Sequence, residues 1–151
     1  MSLTAEADLR QRRAADPSAS VWVAASAGTG KTKVLTDRVL TLLLAGALPR
    51  RLLCLTFTKA AAAEMALRLN RRLAGWATQS DPVLIDDLTR LLGRPPVEAE
   101  QVRARRLFAQ VLDTPGGMAI QTLHAFCQSL LRRFPLEAGV APHFQVMDEA
   151  D

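Results

Sequence analysis

Residues 25–32, which read Ala-Ser-Ala-Gly-Thr-Gly-Lys-Thr, combine the residue types that bind phosphate. Gly28 and Gly30 allow the backbone to turn sharply and to approach an oxyanion closely. Lys31 can reach the outer phosphates of a nucleotide, and the Thr32 hydroxyl is a ligand for Mg²⁺. The sequence therefore predicts a nucleotide-binding loop whose candidate residues are Ser26, Ala27, Gly28, Thr29, Gly30, Lys31 and Thr32.

The flanking sequence suits such a loop. The apolar run 21–24 predicts a buried strand of a parallel sheet, and helical periodicity follows over 31–45. A helix N-terminus directs free N–H groups and a positive dipole end at phosphates. The strict motif has glycine where this chain has Ala25, so this corner of the loop must be less demanding. The alternative is an accidental glycine-rich turn on a surface loop.

A second candidate site, Thr56-Phe57-Thr58-Lys59, ends the apolar run 52–57. In α/β sheets the carboxyl ends of parallel strands present ligands. Phe57 can stack on a base of single-stranded nucleic acid, while Thr58, Lys59 and the helix N-terminus bind its phosphates. In the alternative interpretation, Phe57 belongs to the core and Thr58 only caps the next helix.

Two further candidates are weaker when taken singly. Thr122, His124 and Phe126 lie where the strand predicted over 118–122 gives way to a helix, but no neighbouring carboxylate supports nucleophilic or metal chemistry. Gln11 lies on the helix that precedes the loop and can pair with N6 and N7 of adenine. The alternatives are a structural histidine and a solvated helical glutamine.

These residues require elements in the order β-α-β-α, with a parallel sheet and a right-handed crossover. Periodicity predicts helices over 3–14, 31–45, 59–76 and 123–134. Residues 80–114 differ: helices over 81–92 and 98–112 indicate an all-helical insertion. Residues 136–151 begin a further segment, with an extended piece at 144–147.

Composition narrows the class of protein. The net charge of +4 and the pI of about 9.8 favour a polyanionic partner. The arginines at 103, 105 and 106 predict a solvated helix face, with DNA contact as the alternative. Cys54 and Cys127 predict buried free thiols in a reducing compartment, without metal-ligand spacing. The N-terminus lacks a signal-peptide layout and no apolar stretch could span a bilayer, so we expect a cytoplasmic protein without membrane contact.

The order of these motifs resembles that of superfamily 1 UvrD/Rep-like DNA helicases. The resemblance is strongest to the AddA branch, the helicase-nuclease subunits of bacterial double-strand-break repair. It rests on Gln11, on Ser-Ala-Gly-Thr-Gly-Lys-Thr at 26–32, on Thr-Phe-Thr-Lys at 56–59 and on Thr-Leu-His-Ala-Phe at 122–126. Most UvrD/Rep members have asparagine where this chain has Lys59.

The resemblance implies a role for each candidate. Gln11 would read adenine, residues 27–32 would bind the ATP triphosphate and Mg²⁺, and Lys33 falls where the family often has an arginine near the nucleotide. Phe57, Thr58 and Lys59 would grip single-stranded DNA, as would Thr122, His124 and Phe126. The implied partners are single-stranded or duplex-end DNA and an AddB-like protein.

ATP hydrolysis also needs an acidic residue for Mg²⁺. Asp148 and Glu149 follow a short apolar run, but the resemblance assigns the magnesium-binding acidic motif and any nuclease residues to positions beyond 151. We therefore expect a chain that binds ATP without turning it over alone.

The sequence predicts an α/β fold of P-loop (RecA-like) type over 1–151: a partial parallel sheet with flanking helices and a helical insertion. Its predicted function is the N-terminal ATP-binding portion of an ATP-dependent DNA helicase. One alternative is a non-catalytic nucleotide- or DNA-binding module. The other is an unrelated P-loop kinase, against which the sites at 57–59 and 124–126 argue.

Overall fold

The computed structural model of this chain describes residues 3–24 and 30–145. Within those ranges the chain has mixed α/β structure, as predicted. The elements are α1 (Leu3–Ala14), α2 (Lys31–Leu44), a 3-10 turn (Pro49–Arg51), β1 (Leu53–Thr56), α3 (Lys59–Thr78), α4 (Asp81–Leu92), α5 (Glu98–Leu112), β2 (Ala119–Thr122) and α6 (Leu123–Arg133).

The two strands β1 and β2 pair in parallel, although three helices separate them in sequence. Leu53 lies opposite Ala119, and Thr56 lies opposite Thr122. Because the pairing is parallel and in this register, both strands end at the same edge of the sheet. The segments that follow them, which hold the candidate DNA-binding residues, therefore begin side by side.

The prediction of a strand over 21–24 is wrong, since the structure assigns no strand to these residues. Trp22 is 93% exposed, and Val21 and Val23 are also exposed. A strand needs a hydrogen-bonding neighbour, but in the described part of the chain β1 and β2 pair only with each other. Phe144 and Gln145 also lie outside any strand, while Val146 and Met147 lie outside the described residues.

The hydrophobic core lies among helices α2 to α5. Leu40, Leu69, Leu73, Trp76 and Leu88 are fully buried there. Helices α4 and α5, predicted as an insertion, pack into this same core through Leu84, Leu88, Leu91, Ala104, Leu107 and Val111. The helical segment thus supports α2 and α3, two of the helices that follow candidate binding segments.

A glycine follows the C-terminal end of α2. Gly46 has φ +100°, a conformation that side chains with a Cβ disfavour. Its N–H donates to the Leu43 carbonyl at 3.0 Å, and the Ala47 N–H donates to the Leu42 carbonyl at 2.9 Å. This pair of bonds satisfies carbonyls that the end of the helix leaves unpaired.

The cysteine prediction is correct in part. Both thiols are free, and partial burial raises the pKa of Cys54. Cys127, however, is exposed, because α6 buries none of its residues. The apolar neighbours of Cys127 in sequence therefore do not enclose it.

Two of the three arginines on α5 bind the protein's own backbone, whereas the sequence predicted a solvated face. Arg103 donates to the Leu44 carbonyl. Arg105 donates to the Trp76 carbonyl at 2.8 Å and pairs with Asp81. Arg103 and Arg106 are both exposed, as predicted. The arginine run thus ties α5 to the ends of α2 and α3.

No helix within residues 3–24 and 30–145 has both the length and the apolar character that crossing a membrane requires.

Candidate functional site

The C-terminal end of the predicted nucleotide loop has the geometry that its glycine implies. Gly30 has φ +86°, and its carbonyl accepts the first hydrogen bond of α2, from the Val34 N–H at 3.0 Å. Lys31 and Thr32 therefore occupy the first turn of α2, where the helix dipole favours negative charge. Ala25, Ser26, Ala27, Gly28 and Thr29 lie outside the described residues, and their roles stay predictions.

Gln11 lies next to this helix start. The Lys33 ammonium donates to the Oε1 atom of Gln11 at 3.1 Å, and a Cβ placed on Gly30 would lie 3.4 Å from the Gln11 Nε2 atom. Three residues that the sequence proposed separately for nucleotide binding are thus neighbours: Gln11, Gly30 and Lys33, which we call the Gln11 cluster.

The position of α1 against α2 depends on Arg38. Its guanidinium donates to three backbone carbonyls at and after the C-terminal end of α1: Ala14 at 3.3 Å, Asp16 at 2.6 Å and Ala19 at 2.6 Å. These bonds hold the end of α1 and the following segment on α2. The same packing of α1 on α2 brings Gln11 next to Gly30. Helical periodicity in the sequence does not predict this contact.

An ion-pair network behind Lys33 was not predicted from the sequence. The Asp37 carboxylate accepts from Lys33 at 2.8 Å and from Arg72 at 2.9 Å. Arg72 also pairs with Asp87 at 2.8 Å, and Asp87 accepts from the Trp76 indole N–H. The one sequence signal was the spacing of Lys33 and Asp37, which are four residues apart on a helix.

Charge pairing outweighs burial in this network. Burial disfavours the charged forms of Arg72 and Asp87, but their mutual hydrogen bonds and opposite charges prevail. The pKa of Arg72 is therefore raised above its ordinary value, with Asp37 contributing. The pKa of Asp87 is lowered, with the Trp76 hydrogen bond and the charge of Arg90 contributing. Both side chains stay ionised at neutral pH.

The candidate DNA-binding residues gather at the shared strand edge. Phe57 is 87% exposed, which excludes the core interpretation of this residue. Lys59 and His124 are exposed too, whereas Phe126 is half-buried. The structure thus brings aromatic, cationic and imidazole side chains to the segments that follow β1 and β2.

Two threonines cap the helices at this edge in the same way. Thr58 Oγ1 accepts from the Ala61 N–H at 3.1 Å, and Thr122 Oγ1 accepts from the Ala125 N–H at 3.1 Å. The capping predicted for Thr58 is therefore confirmed. Because β1 and β2 end opposite each other, α3 and α6 begin side by side, so the positive ends of two dipoles lie at one edge.

Within residues 3–24 and 30–145, the structure adds no candidate residue for metal binding. The described residues contain no group of three His, Cys, Asp or Glu side chains arranged to hold a metal ion. Asp148 and Glu149 lie outside the described ranges. Thr32 therefore stays the predicted Mg²⁺ ligand, at the start of α2.

Sequence comparisons give the site its context. The chain is 39% identical over 134 residues to an ATP-dependent helicase/nuclease subunit of Pelotomaculum thermopropionicum, covering 87% of this chain and 9% of that protein. The protein of the same name from Pediococcus pentosaceus is 31% identical over 147 residues, 97% of this chain and 10% of the relative. Its counterpart in Lactobacillus acidophilus is 33% identical over 140 residues, with 93% and 10% covered.

This chain thus spans about a tenth of the length of these curated relatives. The UvrD/REP helicase N-terminal domain matches residues 7–151, a range that includes both the Gln11 cluster and the strand edge. From this match over nearly its whole length, the chain belongs to the UvrD/REP helicase N-terminal domain family.

Proposed function

We propose that this chain is the ATP-binding N-terminal portion of an ATP-dependent DNA helicase that acts in double-strand-break repair and recombination. The observation that carries the proposal is the convergence of Gln11, Gly30 and Lys33 at the start of α2. The relatives support it, because each is named as part of an ATP-dependent helicase/nuclease.

In this proposal the nucleotide lies along the start of α2. Lys31 binds the outer phosphates, Thr32 holds Mg²⁺ and Gln11 reads the adenine edge. The remaining loop contacts come from Ser26, Ala27, Gly28 and Thr29. Mg²⁺ would neutralise developing charge on the phosphates during hydrolysis.

Single-stranded DNA would bind at the shared edge of β1 and β2. The exposure of Phe57 supports base stacking, and the paired helix N-termini support phosphate binding. Thr58, Lys59 and His124, which are exposed, and Phe126, which is half-buried, complete the proposed surface. Thr122 is only 9% exposed, so its proposed part is to cap α6 at this edge. Their position after parallel strands is the usual ligand position of an α/β sheet.

The same proposal includes the type of domain and its boundaries. The described sheet would be part of a RecA-like helicase domain, with α4 and α5 as its helical insertion and residues 136–151 as the start of a further segment. The longer protein would act on duplex ends in the cytoplasm with an AddB-like partner.

Replacement of Lys31 tests the nucleotide assignment. We expect the chain to bind Mg·ATP and Lys31→Ala to weaken binding at least tenfold, because a charge-assisted phosphate contact is lost. Equilibrium titration with a fluorescent ATP analogue measures the effect. Arg68→Ala, on the exposed Glu64–Arg68 pair of α3, is the control and should bind normally.

Turnover measurements separate the alternatives. Carried in the longer helicase, Lys31→Ala should abolish ATP-driven unwinding, and retained unwinding would contradict the assignment. ATP hydrolysis by the chain alone that rises with single-stranded DNA would refute a non-catalytic module. Phosphorylation of a small molecule without DNA affinity would instead establish a kinase.

A further inference from the structure

The Gln11 side chain has a fixed orientation in this structure. The Lys33 ammonium carries only donors, so the Gln11 atom that lies 3.1 Å from it must be the amide oxygen. The Nε2 atom then points to the Gly30 side, where an added Cβ would lie 3.4 Å away. Lys33 thus decides which end of the amide faces which neighbour.

Asp37 in turn holds Lys33. The carboxylate lies 2.8 Å from the Lys33 ammonium, and its side chain is only 12% exposed while that of Lys33 is 56% exposed. A lysine at such exposure would sample many rotamers without this partner. The other oxygen of Asp37 accepts from Arg72 of α3 at 2.9 Å, so the pair is anchored outside its own helix.

We propose that Asp37 is a positioning residue for nucleobase recognition: anchored by Arg72, it holds Lys33 against the amide oxygen of Gln11 and so fixes the face that Gln11 presents to the base. This inference rests on the proposed function, since it takes Gln11 as the residue that meets adenine. Asp37 itself makes no contact with the nucleotide in this scheme.

The fixed amide has a consequence for specificity. The Gln11 oxygen has two lone pairs, of which Lys33 takes one, and the other can accept from the adenine N6 amino group. The Nε2 group then donates to N7. Inosine triphosphate carries an oxygen acceptor at position 6, which would face the Gln11 oxygen without a shared proton. An amide that Lys33 prevents from turning therefore favours ATP over ITP.

The test compares ATP and ITP affinities by competition against a fluorescent ATP analogue. In Asp37→Asn the amide is free to turn, so the preference for ATP over ITP should fall roughly tenfold, the discrimination of one bidentate pair. Lys33→Met should give the same loss, and its exposed position protects folding if Asp37→Asn is unstable. Gln11→Ala should lose the preference, and adding Asp37→Asn to it should change the ratio no further.

A second readout needs no nucleotide. In the ¹⁵N-labelled chain without ligand, the Gln11 side-chain amide should be rigid on the NMR timescale and become mobile in Asp37→Asn and Lys33→Met. Glu64→Gln is the matched control, because it breaks another carboxylate–cation pair at four-residue spacing, Glu64 with Arg68 on α3. It should leave both the amide and the nucleotide ratio unchanged.

Each result decides the inference. A Gln11 amide that stays rigid in Asp37→Asn overturns it, and so does a variant in which ATP and ITP affinities fall by the same factor. A rigid wild-type amide that Asp37→Asn frees, in a chain that binds no nucleotide, overturns the proposed function and the nucleobase role together, while the contact from Asp37 through Lys33 to Gln11 still stands.

Discussion

At the scale of single residues, exposure separates aromatic side chains that look equivalent in the sequence. Phe57 and Phe126 each follow a strand, yet Phe57 is 87% exposed and Phe126 is half-buried. Leaving a phenylalanine ring in water gains no burial energy. A stacking partner would provide the missing contact, and single-stranded nucleic acid offers one at every base.

Removal of the Phe57 ring should therefore weaken DNA binding without changing stability. Stacking contributes ~1–3 kcal/mol per base, so Phe57→Ala should reduce the affinity for a short single-stranded oligonucleotide about tenfold. Fluorescence anisotropy with a labelled strand measures this effect. Phe57→Trp, which keeps an aromatic ring, should bind DNA as tightly as the wild type.

Phe134→Ala provides the control. Phe134 is 47% exposed but lies after the far end of α6, and its replacement should leave DNA affinity unchanged. Equal losses of DNA affinity in Phe57→Ala and Phe134→Ala would mean that the Phe57 ring does not contact DNA specifically.

At the scale of elements, ionic contacts fix the packing of three helices. Asp37 of α2, Arg72 and Trp76 of α3 and Asp87 of α4 form one hydrogen-bonded set behind the Gln11 cluster. Neither carboxylate has an (i,i+4) arginine in this set, so helical spacing does not reveal the contact. The network links the helical segment to the start of α2.

Loss of the Asp87 carboxylate should destabilise the chain. Asp87→Ala leaves the Trp76 N–H without its acceptor and Arg72 with one partner, so the free energy of unfolding should fall by about 2 kcal/mol. Asp86→Ala is the neighbouring control: its side chain is 59% exposed, and its surface pair with Arg90 contributes little. Urea unfolding at about pH 7 distinguishes the two variants.

The same variant should change the response to acid. The pKa of folded Asp87 lies below its ordinary value of 3.8, so the unfolded chain binds the proton first. The contribution of Asp87 to stability is complete above that value and is lost as the pH falls through the folded pKa. The gap between wild type and Asp87→Ala should thus stay constant from about pH 7 to about pH 5 and narrow as the pH falls towards about pH 3. A gap that stays constant over the whole range would contradict an ionic role.

At the scale of the whole molecule, the core and the candidate binding surface lie in different places. Helices α2 to α5 enclose the core, while α6 buries none of its residues and Leu53 and Leu55 of β1 are exposed. The chain carries a net charge of +4. On α5, Arg105 pairs with Asp81, so its charge is partly compensated within the chain.

The salt dependence of DNA affinity tests which basic side chains contact the DNA phosphates. Affinity for single-stranded DNA should fall as salt rises, with a log–log slope of about −0.7 for each phosphate contacted. Lys59→Ala should make the slope shallower by about 0.7, because one contact is lost. Arg106→Ala, on α5, should leave the slope unchanged. The opposite pattern would move the DNA surface from the strand edge to α5.

The sequence by itself determined the local elements, because helix periodicity, capping threonines and glycine stops act over a few residues. It predicted α4 over 81–92 and α5 over 98–112 with the observed bounds, and it predicted the Thr58 cap. It also selected Gln11, Gly30 and Lys33, which the structure brings together. The sites themselves stay predictions until binding is measured.

Only the tertiary structure decided what depends on distant partners. Apolar residues at 21–24 satisfy the pattern of a buried strand, but burial needs a neighbour that a local pattern cannot guarantee, and Trp22 is exposed. Cys127 is exposed for the same reason. Arg72 and Asp37 lie 35 residues apart in sequence, and their contact exists because the packing of α3 on α2 makes two charges meet where water is largely excluded.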